Sequence, residues 1–493
     1  MNEDRSFERL FADRMHTERG SAGLPDAFYD EFRQRARGMR QRPRWLALIK
    51  ESPMRTSNSL TVGSPTARVA AIMAATLLLA LMVAGAGIAG SRLLAADGAI
   101  VVDPSGGGTV ETITEALAMA ADGDTIVIKP GTYIEAVVID KDVTLRGDGA
   151  DRSAVVIQVP ADAPLLPEDL ASRCLMGCSG LDDPRPTGLL LLETTSSLSN
   201  LTVVGLLEGT AVSIHGGAPT LDDLAIEIAE EVADPSREAA GGGRGGGLHI
   251  DHASQAIVRG IAHEGWLSVD RGSSPIFEDN QLLDSCVQLW GEGTAAELRR
   301  NTITGCLNGW ALDIGHGATP LIEDNDISVA GIYVYQGIAE GTHPIIRGNR
   351  IHGSDPMMEI KGIRIDCSSG SPPQARRCTS EDGVAGATAT IEDNEIFDNS
   401  PGLSIFTDAI VRGNDIHDNS IGVTVSEASP ILEGNTIGAN QVGLEVSGID
   451  AEPSLSGNVI CDNTTNVDLV SGAELTDTSG NEICADAIAD ASE

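Results

Sequence analysis

Pro275-Ile276-Phe277-Glu278-Asp279-Asn280 returns as Pro320-Leu321-Ile322-Glu323-Asp324-Asn325, as Pro344-Ile345-Ile346-Arg347-Gly348-Asn349 and as Pro430-Ile431-Leu432-Glu433-Gly434-Asn435. Looser versions end at Asn301, Asn394, Asn414, Asn458 and Asn481. Successive asparagines stand 21, 24, 24, 45, 20, 21, 23 and 23 residues apart, and the step of 45 reads as a loop insertion. A period in this range marks stacked repeats, in which each rung buries its apolar face only against its neighbours. Every rung needs turns, and asparagine tolerates the left-handed backbone that turns demand. Its amide can also bond to the asparagine of the next rung. Asn280, Asn325, Asn349, Asn394, Asn414, Asn435 and Asn458 are therefore assigned to the scaffold and not to catalysis.

Composition agrees with short strands and tight turns. Of 493 residues 41% are apolar but only 3% aromatic, and 56 are glycine, which suits strands of Val, Ile and Leu better than a helical enzyme. A repeat array lengthens by adding rungs, so one large domain accommodates this length. The net charge is −39, with +4 on residues 1–68 and −43 on the rest. An acidic outer part repels phosphates and argues against nucleic acid as a partner, while it suits divalent cations, neutral polymers or plain solubility.

Residues 1–68 form a basic, amphipathic tail. Phe7, Leu10, Phe11 and Met15 fall on one helix face, and Phe28, Phe32, Ala36 and Met39 on another. Residues 69–90 carry no charge over 22 positions, which as a helix would measure about 33 Å against a hydrocarbon core of about 30 Å. A transmembrane helix is expected there. Eight Lys/Arg between Arg33 and Arg55 place the tail in the cytoplasm, open to an unidentified cytoplasmic partner, and the repeats outside. Leu94-Ala95-Ala96 faintly resembles a processing site through which the outer part would be released. Residues 486–493 are a short C-terminal tail.

All eight cysteines lie beyond residue 90, on the oxidising side of such a membrane. Cys461 and Cys484 each follow a repeat asparagine by three places, so on adjacent rungs about 4.8 Å apart they stack within disulfide reach. Cys286 with Cys306 makes a similar pair one residue out of phase. Cys367 with Cys378, and Cys174 with Cys178, would close inserted loops. Zinc ligation is the rival reading, but no Cys-x-x-Cys or histidine cluster in the sequence supports it.

The stretch from 97 to 149 contains Thr112-Ile113-Thr114-Glu115-Ala116-Leu117, Gly123-Asp124-Thr125-Ile126-Val127-Ile128, Pro130-Gly131-Thr132-Tyr133 and Val143-Thr144-Leu145-Arg146-Gly147. It resembles the entrance of pectin-lyase-like right-handed parallel β-helix proteins, in particular the NosD-type and carbohydrate-binding groups. The resemblance covers residues 97–485 and implies an all-β right-handed parallel β-helix of about a dozen rungs with an N-terminal capping helix. It is specific for fold and silent on chemistry. Independently, a parallel coil must cover the unpaired edges and apolar cross-section at its end, and Ile113, Ala116, Leu117 and Ala120 give residues 112–121 one apolar face. Residues 160–188, 227–247 and 366–386 interrupt the rungs as loops.

A second strand follows most asparagines, usually after a glycine. Alternation points Leu312, Ile332, Val334, Ile363, Ile365, Leu403, Ile405, Val423, Val425, Leu444 and Val446 inward. The outward pairs are then Ser213 and His215, His249 and Asp251, Ser268 and Asp270, Gln288 and Trp290, Ala311 and Asp313, Tyr333 and Tyr335, Arg364 and Asp366, and Ser404 and Phe406. Trp290, Tyr333, Tyr335, Phe406, Asp251 and Asp270 form a candidate surface for a polysaccharide or cell-surface glycan, since aromatic faces stack on sugar C–H groups and carboxylates bond hydroxyls. An ordinary mixed solvent face would look the same.

For catalysis, Asp313 and Asp366 two rungs apart at about 9.6 Å would meet the spacing of glycosidase carboxylates. Gly315-His316-Gly317, with Lys361 and Arg364, looks like the histidine motif of polygalacturonases, although the paired aspartates of those enzymes are missing. A polysaccharide lyase would instead want a Ca2+ held by carboxylates and a basic residue, for which Asp270, Asp313 and Arg364 are the candidates. Three expectations therefore stand side by side: a membrane-anchored glycan-binding module, a lyase or hydrolase, and a structural stalk without ligand.

Overall fold

The repeat phrase bends the chain at a fixed place in every rung. A computed structural model describes residues 98–161, 163, 187–206, 209–229, 246–305, 310–336, 341–353, 362–366, 387–475 and 480–486. All lie in the second of the two units, Met1–Gly85 and Ala86–Glu493, into which the chain divides. The expected span at 69–90 falls outside the described residues, among which no helix is long and apolar enough to cross a membrane. Cys174, Cys178, Cys306, Cys367, Cys378 and Lys361 also lie outside them.

The described chain is a parallel β-solenoid of about 13 turns. Strand pairings run rung to rung in three stacks. One carries the repeat phrase, from Ile257–Arg259 to Ser454–Ser456. A second follows the asparagine, through Thr302–Gly305 and Asp326–Ser328 to Val459–Ile460. A third runs from Thr187–Leu192 and Thr210–His215 through Leu312–Gly315, Ile332–Tyr335 and Ile363–Asp366 to Thr465–Val470. Strands Ile345–Arg347 and Thr390–Glu392 pair directly, so the step of 45 is a single rung with an insertion.

The core is one continuous column of aliphatic side chains. Phe277, Leu298, Ile322, Ile346, Ile391, Val411 and Leu432 lie over one another in register and are buried, and so are all eleven residues expected inward on the third stack. Each such side chain contributes about 1.5–3 kcal/mol of burial. Helix Ile113–Met119 packs Ile113, Ala116 and Leu117 onto the same core, against the strands that begin the coil. Thr112 caps it by accepting from the Glu115 N–H at 3.1 Å, while Lys141 Nζ donates to the Leu117 and Ala120 carbonyls at its end.

The asparagines form the expected ladder, by a different local geometry. The left-handed residue is the one before each asparagine, as at Asp279, Arg300, Asp324 and Asp393, and not the asparagine itself. That turn tips the asparagine inward, where those from Asn280 to Asn458 are buried and Asn481, on the last rung, is half-buried. Asn325 Nδ2 donates to Asn349 Oδ1 at 3.0 Å and to the Leu298 carbonyl at 2.9 Å, and its Oδ1 accepts from the backbone N–H and Nδ2 of Asn301. The same bonds run unbroken from Asn280 to Asn481. A parallel ladder at another corner links Asn399, Asn419, Asn440 and Asn463. Cys461 and Cys484 are bridged with their Cα atoms 5.0 Å apart, as the register requires. Cys286 is disulfide-bonded too.

Candidate functional site on the third strand stack

The outward positions of the third stack line up in two columns. The first reads Ser213, His249, Ser268, Gln288, Asp313, Tyr333, Arg364 and Ser404. The second pairs His215 with Asp251, Trp290 with Gly315, and Tyr335 with Asp366. One rung departs from expectation: its outward pair is Asp313 and Gly315, whereas Ala311 is buried at the corner before the strand. Asp313 and Asp366 therefore occupy different columns, two rungs and two residues apart, with Cα atoms about 12 Å from one another. The spacing expected of a glycosidase pair does not arise between them. Asp366 is instead engaged by Arg364, whose Nη2 lies 2.6 Å from Oδ2.

The columns are far less exposed than a solvent face. Side chains stacked rung on rung shield one another, so Tyr335 is 4% and Asp366 7% exposed, while Trp290, Tyr333, Arg364 and Phe406 are half-buried. The rings form a connected set. Tyr333 stacks on Tyr335 at 5.0 Å between centroids and on Trp310 at 5.1 Å; His316 meets Trp290 at 5.4 Å and Tyr335 at 5.3 Å edge-on. The Arg364 guanidinium lies 4.7 Å from the Phe406 ring centre and 5.9 Å from that of Tyr333. Gly315 makes room for this packing, since a Cβ there would come within 2.5 Å of the Tyr335 ring.

Asp313 lies in this aromatic surround. Burial pushes its carboxyl up to about 7, against the opposing pull of the Trp290 indole N–H, and its Oδ1 has no hydrogen-bond partner. A carboxyl that titrates near neutrality can give and take a proton at working pH. Burial likewise raises Tyr333 and Tyr335, and lowers His316.

Earlier rungs of the same face hold a second cluster around Asp251, which is fully buried. His215 Nδ1 and His252 Nδ1 lie 2.6 and 2.7 Å from its Oδ1, and His249 Nε2 and Arg271 Nη1 each lie 3.3 Å from its Oδ2. Burial alone would raise the Asp251 carboxyl, but His215 and His249 outweigh it and hold the group well below the usual carboxylate range. Asp270, a neighbour with less compensation, is raised by burial.

Asp251, Asp270, Trp290, Tyr333, Tyr335 and Phe406 thus all belong to one face, with Asp313, His316, Arg364 and Asp366 among them. Three contributors escape strict alternation: Trp310 precedes its strand, and His252 and Arg271 sit in left-handed turns just past theirs, with φ of 58° and 50°. Their only signal in the sequence is adjacency to the outward positions.

Comparison with known proteins fits this architecture. Residues 285–460 and 361–486 match the family model described as right handed beta helix region. The matched residues, 285–486 together, lie in the later rungs of the parallel β-solenoid. Among solved structures, the A-module of a mannuronan C-5 epimerase from Azotobacter vinelandii is 13% identical, with 73% of this chain and 93% of that one covered at a TM-score of 0.43. DFA-IIIase from Arthrobacter chlorophenolicus is 14% identical over 76% and 92% at 0.43. The catalytic unit of a GH87 alpha-1,3-glucanase from Streptomyces thermodiastaticus is 15% identical over 78% and 69% at 0.40. No match is found among curated proteins.

Proposed function

We propose that the face from Gln288 to Phe406 binds a polysaccharide laid across the rungs, and that residues 69–90 anchor the solenoid at a membrane where it meets cell-surface glycan. On this reading the basic tail, residues 1–68, remains in the cytoplasm, and the chain is of the carbohydrate-binding kind that its entrance sequence resembles. The observation that carries the binding role is the ring set. Trp290, Trp310, Tyr333, Tyr335 and Phe406 converge on one face of a chain with 3% aromatic residues, beside Arg364 and Asp366. Tyr335 is a buried support for this platform, and half-buried Trp290, Trp310 and Phe406 supply apolar surface at its margins. Such surface stacks on sugar C–H groups, while the guanidinium and carboxylate orient hydroxyls or acidic substituents.

The test is retention of the full chain by a panel of immobilised neutral and acidic polysaccharides, with and without calcium. Trp290→Ala and Arg364→Ala each weaken retention by about tenfold or more, as loss of central aromatic and arginine contacts generally does. Glu433→Gln, on the repeat-phrase stack, leaves it unchanged. Retention indifferent to both face variants would place binding elsewhere, and no retention at all would favour the structural stalk.

A second reading, polysaccharide cleavage, is favoured by the Asp313 carboxyl at about 7. New reducing ends or unsaturated products, abolished in Asp313→Asn and declining as the pH rises through about 7, would establish Asp313 as a proton donor. Retention without products leaves the binding role alone.

A further inference from the structure

The Asp251 cluster lies on rungs before the aromatic platform and has no part in the role proposed for that platform. Its geometry is unusual for an ion-pair network. Asp251 Oδ1 is buried with two imidazole nitrogens only 2.6 and 2.7 Å away. The two nitrogens, both Nδ1, are themselves 3.3 Å apart. Three potential ligand atoms thus face a common point. Atoms held about 2.0–2.2 Å from one tetrahedral ion sit roughly 3.3 Å from each other, so the His–His edge already has that length and the two His–Asp edges need to open by about 0.6–0.7 Å.

We infer that His215, His252 and Asp251 bind one divalent first-row transition ion of the zinc class. Two imidazoles and one carboxylate suit such an ion, whereas Ca2+ takes six to eight oxygen ligands and has no use for this nitrogen-rich set. The support expected around ligating histidines is present. Ser213 Oγ lies 2.9 Å from His215 Nε2, which fixes the ring with Nδ1 toward Asp251. His249, held by Ser268 at 2.6 Å, places Nε2 3.3 Å from the other carboxylate oxygen. His252, on a turn and about a third exposed, leaves an entry path from solvent. Opposing the ion, Arg271 Nη1 lies 3.3 Å from His252 Nε2 and from Asp251 Oδ2. Nε2 carries its proton when Nδ1 binds metal, so binding requires Arg271 to give up His252 and keep only Asp251.

The experiment is equilibrium dialysis of the metal-stripped full chain against zinc or cobalt, read by elemental analysis and, for cobalt, by the visible absorption of a tetrahedral site. One equivalent per chain is expected, together with that absorption. His215→Ala, Asp251→Asn and His252→Ala each weaken retention by tenfold or more, while Arg271→Ala strengthens it. His352→Ala and His417→Ala, on a different strand stack, leave it unchanged. His252→Ala removes a partly exposed turn side chain and is the variant expected to fold, with far-UV circular dichroism as the control. Absence of stoichiometric zinc in the unmodified chain overturns the inference, and so does retention equal in unmodified and His252→Ala protein. Polysaccharide retention is scored on other residues, so the two proposals fail separately.

Discussion

Asp313 shows how little of a residue's chemistry resides in its identity. The same side chain exposed on a turn would ionise near 4; here burial beside Trp290 and the paired tyrosines moves it to about 7. Below about pH 4 the carboxyl is protonated in both folded and unfolded chains. Between about 4 and 7 only the unfolded chain ionises, so the fold loses stability as the pH rises through that window, by up to about 4 kcal/mol. Asp313→Asn, which cannot ionise, should raise the denaturation midpoint near pH 8 and leave it nearly unchanged near pH 4. An equal gain at both would refute the shifted carboxyl. The sequence offered Asp313 as a candidate from alternation, but not its environment, because Trp290 comes from the neighbouring rung and Gly315 admits the Tyr335 ring by lacking a side chain.

Within a rung, the informative unit is the corner. The asparagine amide satisfies its own donors and acceptor and the carbonyl of an earlier rung, so a buried polar group costs nothing where it would otherwise cost several kcal/mol. Asn325→Ala strands the Leu298 carbonyl and the Asn301 amide and N–H together. A loss of about 2–4 kcal/mol is expected, read as a lower denaturation midpoint and as faster amide exchange in the rungs on either side. A loss confined to one rung would mean that the ladder bonds act singly. The ladder itself was legible, because identical residues recurring at rung spacing must stack. The left-handed residue before each asparagine carried a signal as well, since Asp279, Asp324, Asp393, Gly348, Gly413, Gly434 and Gly457 are of the two types that enter that region most readily, with Arg300 the exception.

Across the whole molecule, stability is local, since each rung contacts only its neighbours. The bridge from Cys461 to Cys484 fastens the last rung described, closing a loop of 23 residues that in the chain-entropy view contributes about 3 kcal/mol. Cys461→Ser should therefore increase hydrogen exchange in residues 458–483 while the rungs before Asn394 keep their protection. Uniform loss along the chain would show one cooperative unit instead. The concentration of negative charge after residue 68 acts at this scale too, as a field that attracts cations toward Asp251 and repels polyanions.

The sequence by itself determined the solenoid, its rung length, the inward aliphatic columns, the asparagine ladder and the Cys461–Cys484 bridge. Each follows from periodicity, and in a stack of near-identical rungs the spacing along the chain is also the spacing in space. Only the tertiary structure decided which outward residues meet. It set Asp313 one column away from Asp366, put Tyr335 under cover, and brought His215, Asp251 and His252 to a common point. Those meetings depend on corners, insertions and left-handed turns, where one residue more or less rotates a side chain from one column to the next.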